Sequence, residues 1–151
     1  MDLLEELRGI VAALDRAGVA YLLVGGVAVS MYTAPRATED IDLMLARENL
    51  GRAIEALRAL GFRTAGRPMA VADGRLEIQR LTKIEGADLL PLDLLIPLDP
   101  GLVSLLDDRS MMDVGGRRTS VVGLRGLRAL KRLRGSALDR ADLEALGPET
   151  P

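Results

Sequence analysis

The chain contains no cysteine and no histidine. The first absence excludes a disulfide framework, a thiolate metal site and a thiol nucleophile. The second removes the commonest general base and the commonest transition-metal ligand. Any catalysis therefore falls to carboxylates, hydroxyls, lysine or arginine. Any metal held is a hard, oxygen-liganded ion such as Mg²⁺, Mn²⁺ or Ca²⁺. Aromatics are scarce: Tyr21, Tyr32 and Phe62 are all there is, which argues against a base-stacking platform. A net charge of −2 argues against a general nucleic-acid coat. No apolar run approaches membrane-span length. The opening MDLLEELRGI is acidic, unlike a signal peptide. The expectation is a soluble, cytoplasmic protein with no membrane partner.

What is present is apolar content: 48% of 151 residues, enough for one domain, 1–151, with a real core. Leu3, Leu4, Leu7, Ile10, Val11 and Leu14 have helical spacing, stopped at Gly18. Residues 19–24 predict a buried strand, 26–33 a short helix ending before Pro35, 39–46 a second strand and 48–60 a helix ending at Gly61. FRTA, RLEIQRLTKI and LPLDLLIP predict strands, with a turn at 72–74. A short helix is expected over 100–106 and a hairpin turning at Gly115 and Gly116. Two closing helices are expected within about 124–146, at 124–134 and 139–146. Helices and strands are intermixed, so the class is α/β or mixed α+β.

Asp40 and Asp42 stand inside an apolar run. Residues i and i+2 of a strand share a face, so the two carboxylates project together and repel. They stay charged at neutral pH only where a cation or fixed donors offset the repulsion. The bland alternative is an exposed strand end with solvated acids. Asp93, in LLPLDLLIP, is a third acid in apolar surroundings, costly to bury alone. If its strand lies beside 39–46, three carboxylates converge. Such a patch can hold one or two Mg²⁺ ions ~4 Å apart and clamp a phosphoryl transfer.

Gly25 and Gly26 close a strand and open a helix. Glycine permits close backbone approach to a ligand, and helix-start N–H groups suit a phosphate; packing alone also explains glycine there. Arg36 and Thr38 precede the acids. Arg36 meets a phosphate, neutralises the acids, or simply faces solvent. In LRGLRALKRLR (124–134), Lys131 sits ~20° from Leu124 around the helix. Lys131 and Arg134 thus overlie the apolar stripe. Either their stems line the core edge with heads in solvent, or a head reaches an acidic site. The expectation is that Lys131 reaches Asp93 or a bound phosphate, so that Lys131→Met costs little stability.

VGG, a short helix, RATEDIDL and then PLDLLI resemble the nucleotidyltransferase superfamily that includes DNA polymerase beta-like enzymes. The pattern looks most like small bacterial nucleotidyltransferases of toxin–antitoxin and abortive-infection systems, and the tail GLRALKRLRGSALDRADLEAL is similar to their closing segment. The resemblance implies the nucleotidyltransferase fold, a mixed sheet flanked by helices. It implies that Gly25 and Gly26 hold an NTP, that Asp40 and Asp42 bind Mg²⁺ or Mn²⁺, and that Asp93 completes the triad and helps activate an incoming hydroxyl. Arg36 and Lys131 become candidate phosphate contacts. Many active members have Ser after the first glycine, where this chain has Gly26; Ser30, one helical turn on, is the candidate substitute. The implied reaction moves an NMP from an NTP to a hydroxyl of a protein, RNA or small molecule, with a toxin–antitoxin partner or a homodimer completing the site. The competing reading is a non-catalytic nucleotide-binding or antitoxin-like module.

Overall fold

The computed structural model describes residues 1–34 and 38–148. In chain order the helices are α1 (Leu3–Arg16), α2 (Gly25–Tyr32), α3 (Leu50–Arg58), α4 (Pro100–Val103), α5 (Leu124–Arg134) and α6 (Ala137–Leu146). The strands are β1 (Leu22–Val24), β2 (Ile41–Met44), β3 (Arg63–Thr64), β4 (Met69–Val71), β5 (Leu76–Glu85), β6 (Asp88–Pro97), β7 (Arg109–Val114) and β8 (Arg117–Val122). They form one mixed sheet in the order β3-β5-β6-β2-β1-β8-β7, with β4 pairing β5. β1 and β8 are parallel, as are β2 and β6.

The first strand is shorter than its apolar run predicts. Gly18 N–H donates to Asp15 O and Val19 N–H to Leu14 O, with Gly18 at φ +68°. This left-handed cap satisfies the last carbonyls of α1 and uses up the start of the predicted strand. β2 is trimmed likewise, leaving Asp40 just before the ladder. The helix expected over 48–60 is split into a 3₁₀ turn at Arg47–Asn49 and α3. β4 was not foreseen. It is three residues long, too short for alternation to show.

The sheet separates two layers. Lys83 on β5 reaches Glu6 of α1 at 2.9 Å and lies beside Gly61, just after α3, so α1 and α3 cover its face. Arg80, three residues earlier and of opposite parity, faces the other way. That second face is covered by α2 and α5, with Leu127 and Leu130 of α5 lining one small cavity with Val24 and Asp42. Ser136 caps α6: its hydroxyl accepts from Asp139 N, and Asp139 accepts from Ser136 N, a reciprocal capping box. The buried apolar residues of both layers form a continuous cluster. Among the described residues no helix is long and apolar enough to cross a membrane.

Candidate active site

Strand register assembles the acids. Asp42 lies opposite Asp93 on β6, which lies opposite Arg80 on β5, while Val24 lies opposite Asp42 on the other side. Residues directly across a ladder share a face, so Arg80, Asp93, Asp42 and Val24 form one row. Asp40, outside the ladder, still joins them. One carboxylate oxygen from each of Asp40, Asp42 and Asp93 lies within 4.8 Å of the others. Asp42 and Asp93 are buried; Asp40 is half-buried.

Gly25 follows Val24 and has φ +70°, a conformation that side chains disfavour. A Cβ there would stand 2.8 Å from Asp42 Cβ and overlap its carboxylate. Only glycine lets the start of α2 lie against this acid. Burial pushes the Asp42 carboxyl up to about 7, aided by the charges of Asp40 and Asp93 and opposed by Arg134 and Lys131. A divalent cation fits this donor set: three clustered oxygen ligands with excess negative charge. When bound it would neutralise the acids and phosphate oxygens.

The basic residues depart from the expected pattern. Asp93 is not without a polar partner: Arg80 Nε and Nη2 donate to its two oxygens at 2.8 and 2.9 Å. Arg80 is not among the residues that motif and spacing single out. The signal was the two-residue connection between Glu85 and Asp88, which sets the register of the hairpin. Lys131 is buried but does not touch Asp93. Its ammonium pairs with Asp142 at 3.0 Å and Asp139 at 3.3 Å. The short loop to α6 delivers two acids to the helix face on which Lys131 stands, nearer than the sheet. Lys131→Met therefore costs more stability than its helical phase alone implies, because the change takes the ammonium from two buried carboxylates. Burial works to raise Asp139, but bonds from Ser136 and the charges of Arg134 and Lys131 outweigh it and hold Asp139 below its usual range.

Ser30 lies on α2, one turn beyond Gly26. Its hydroxyl donates to Gly26 O at 3.1 Å, within α2. Arg36 lies outside the described residues. Gly26, Thr38, Asp40, Asp42, Arg80 and Lys131 line one cavity of about 560 Å³, with Leu89 and Leu138 at its rim. A second cavity of about 540 Å³ is lined by Asp93 and by β4 and β5 residues, Arg80 among them. Arg80, Arg134, Ser136 and Asp139 border both. Two adjoining chambers of this size suit two small reactants.

No protein-family model matches the chain, and no curated protein matches its sequence. Solved structures do match in fold. ANT(2″)-Ia, in complex with adenylyl-2″-tobramycin, is 16% identical with a TM-score of 0.63 over 95% of this chain and 86% of that one. The lincosamide antibiotic adenylyltransferase LnuA, bound to lincomycin, is 17% identical with a TM-score of 0.62 over 97% of each. A Thermotoga maritima protein assigned as a nucleotidyltransferase is 16% identical with a TM-score of 0.64 over 93% of this chain and 89% of that one. A sheet of this order, a glycine turn against an acid pair and a third acid on the neighbouring parallel strand give the chain the nucleotidyltransferase fold.

Proposed function

We propose that this chain is a nucleotidyltransferase that moves a nucleoside monophosphate from an NTP to the hydroxyl of a small molecule. The observation that carries the reading is the carboxylate cluster, with oxygens of Asp40, Asp42 and Asp93 within 4.8 Å and Gly25 packed against Asp42. Asp40, Asp42 and Asp93 would hold Mg²⁺ or Mn²⁺, which supplies charge neutralisation at the phosphates. The Gly25–Gly26 turn and the first N–H groups of α2 receive the triphosphate. Thr38 lines the same cavity, and Lys131 and Arg134 supply fixed positive charge beside Asp42. Asp93, which lines the second chamber, would take the acceptor's proton. Arg36 is kept as a phosphate contact on sequence grounds. A small-molecule acceptor is favoured because ANT(2″)-Ia and LnuA, similar over nearly the whole chain, are antibiotic adenylyltransferases.

Incubation with each α-labelled NTP, Mg²⁺ and a panel of hydroxyl compounds tests the reading. The expected result is label transfer with pyrophosphate release, abolished by EDTA and by Asp42→Asn. A stable NTP complex with no transfer to any acceptor, and no pyrophosphate, would favour the non-catalytic module.

A further inference from the structure

The second chamber has a chemical character of its own. Its walls include exposed Met69 and half-buried Ile78 and Leu133, with Arg67, Arg80 and Arg134 among them. Its two acids are already engaged: Asp93 takes both bonds of Arg80, and Asp139 lies against Lys131 and Arg134. Arg67 has no ion-pair or hydrogen-bond partner among the described residues. Its loop is nonetheless held in place. Ala65 N–H donates to Arg80 O at 2.8 Å, and the buried Gln79 side chain donates to Gly66 O at 3.3 Å. Arg67 is thus an exposed, unpartnered guanidinium on an anchored loop, lining the chamber that Asp93 also lines.

A polycationic acceptor entering here meets guanidinium groups and no unpaired carboxylate. Like charges brought together disfavour binding. An anion on an apolar body meets the opposite: Arg67 for the anion and Met69 and Ile78 for the body. Resting on the nucleotidyltransferase reading, we propose that the acceptor is a small hydroxyl compound with an apolar body and a carboxylate, phosphate or sulfonate, and that Arg67 selects it. Its hydroxyl oxygen attacks the α-phosphorus, the bond to the β-phosphate oxygen breaks, pyrophosphate leaves with that electron pair, and the hydroxyl proton passes to Asp93. The products are a phosphodiester and pyrophosphate.

Three probes test this by fluorescence and displacement. They are 6-hydroxynaphthalene-2-sulfonate, its uncharged analogue 2-naphthol, and tobramycin as a polycation. The sulfonate is expected to bind at least tenfold tighter than 2-naphthol, and tobramycin is expected not to displace it. Arg67→Glu is expected to weaken the sulfonate at least tenfold, and Arg67→Lys to retain most of the affinity. Arg67 is exposed, so both variants are expected to melt near the parent temperature; Arg67→Gln replaces Arg67→Glu if it does not. Equal binding of the two naphthalenes, displacement by tobramycin, or an unchanged Arg67→Glu affinity overturns the inference. The nucleotidyltransferase reading fails by a separate sign, the absence of a rise in the unmodified protein's melting temperature with Mg²⁺ and any of the four NTPs.

Discussion

Asp42 and Asp139 are both buried and line the same cavity, yet their acidities move in opposite directions. Asp139 belongs to a finished cluster. A lysine, a serine hydroxyl and a backbone N–H meet it within the protein. Asp42 belongs to an unfinished one, facing two further carboxylates, with both bonds of Arg80 spent on Asp93. Buried charge that the fold satisfies itself acts as a clamp between α5 and α6. Buried charge that it leaves unsatisfied marks where a ligand completes the structure.

The sharpest break is Lys131→Met, which removes the only lysine from the finished cluster. Removing one partner of a buried ion pair costs about 3–5 kcal/mol. With about 2–4 °C per kcal/mol for a chain of this size, the melting temperature should fall by roughly 6–20 °C. A loss under 1 kcal/mol in urea unfolding would mean that Lys131 is no clamp.

Asp42→Asn should do the opposite in metal-free protein. A folded-state pKa raised to about 7 means that the native state holds a proton the unfolded chain gives up. The associated stability is complete below about pH 4 and is lost as pH rises through about 7. Asn escapes that loss, so the variant should gain about 2–4 kcal/mol at pH 8 over the parent and nothing at pH 3.5. Saturating Mg·ATP should narrow or reverse the order, since a ligand at a hundredfold excess over Kd adds about 2.7 kcal/mol to the parent alone. Unfolding curves at the two pH values, with and without Mg·ATP, decide it. If Asn destabilises metal-free protein at pH 8, Asp42 is satisfied without a cation and the contrast with Asp139 collapses.

Gly25→Ala should cost about 1–3 kcal/mol, from strain at positive φ and from overlap with Asp42. Calorimetry should also show weaker Mg·ATP binding, because Asp42 must shift. A variant that binds Mg·ATP as well as the parent would make the glycine a packing device only.

The smallest effect is expected from Arg80→Gln. The Arg80 side chain is half exposed, so its pair with Asp93 is worth about 1 kcal/mol or less. Freeing Asp93 and removing a cation should tighten Mn²⁺ binding a few-fold without nucleotide. Weaker Mn²⁺ binding would place Arg80 among the groups that organise the metal site.

Period-two geometry in EDIDL was enough to set Asp42 opposite in direction to Ile41 and Leu43, and helical phase was enough to bury Lys131. Both are local rules, acting within a few residues of chain. The GG turn was legible for the same reason, although its need for glycine at 25 and not merely flexibility came from Asp42, a residue on another strand. The partners were not legible. Phase said that Lys131 needed a polar destination, solvent or acid, but not which one. The docking of α6 on α5 chose Asp139 and Asp142 over the sheet acids that seemed the strongest destination. Asp93 looked unpaired because Arg80 is thirteen positions away along the chain; only the β5–β6 register makes them neighbours. The parallel pairing of β2 with β6, which turns two acids into three, is likewise a contact between distant segments. Side-chain direction follows from the backbone period, whereas side-chain partnership follows from which strands pair and how helices pack, and those depend on the whole core closing at once.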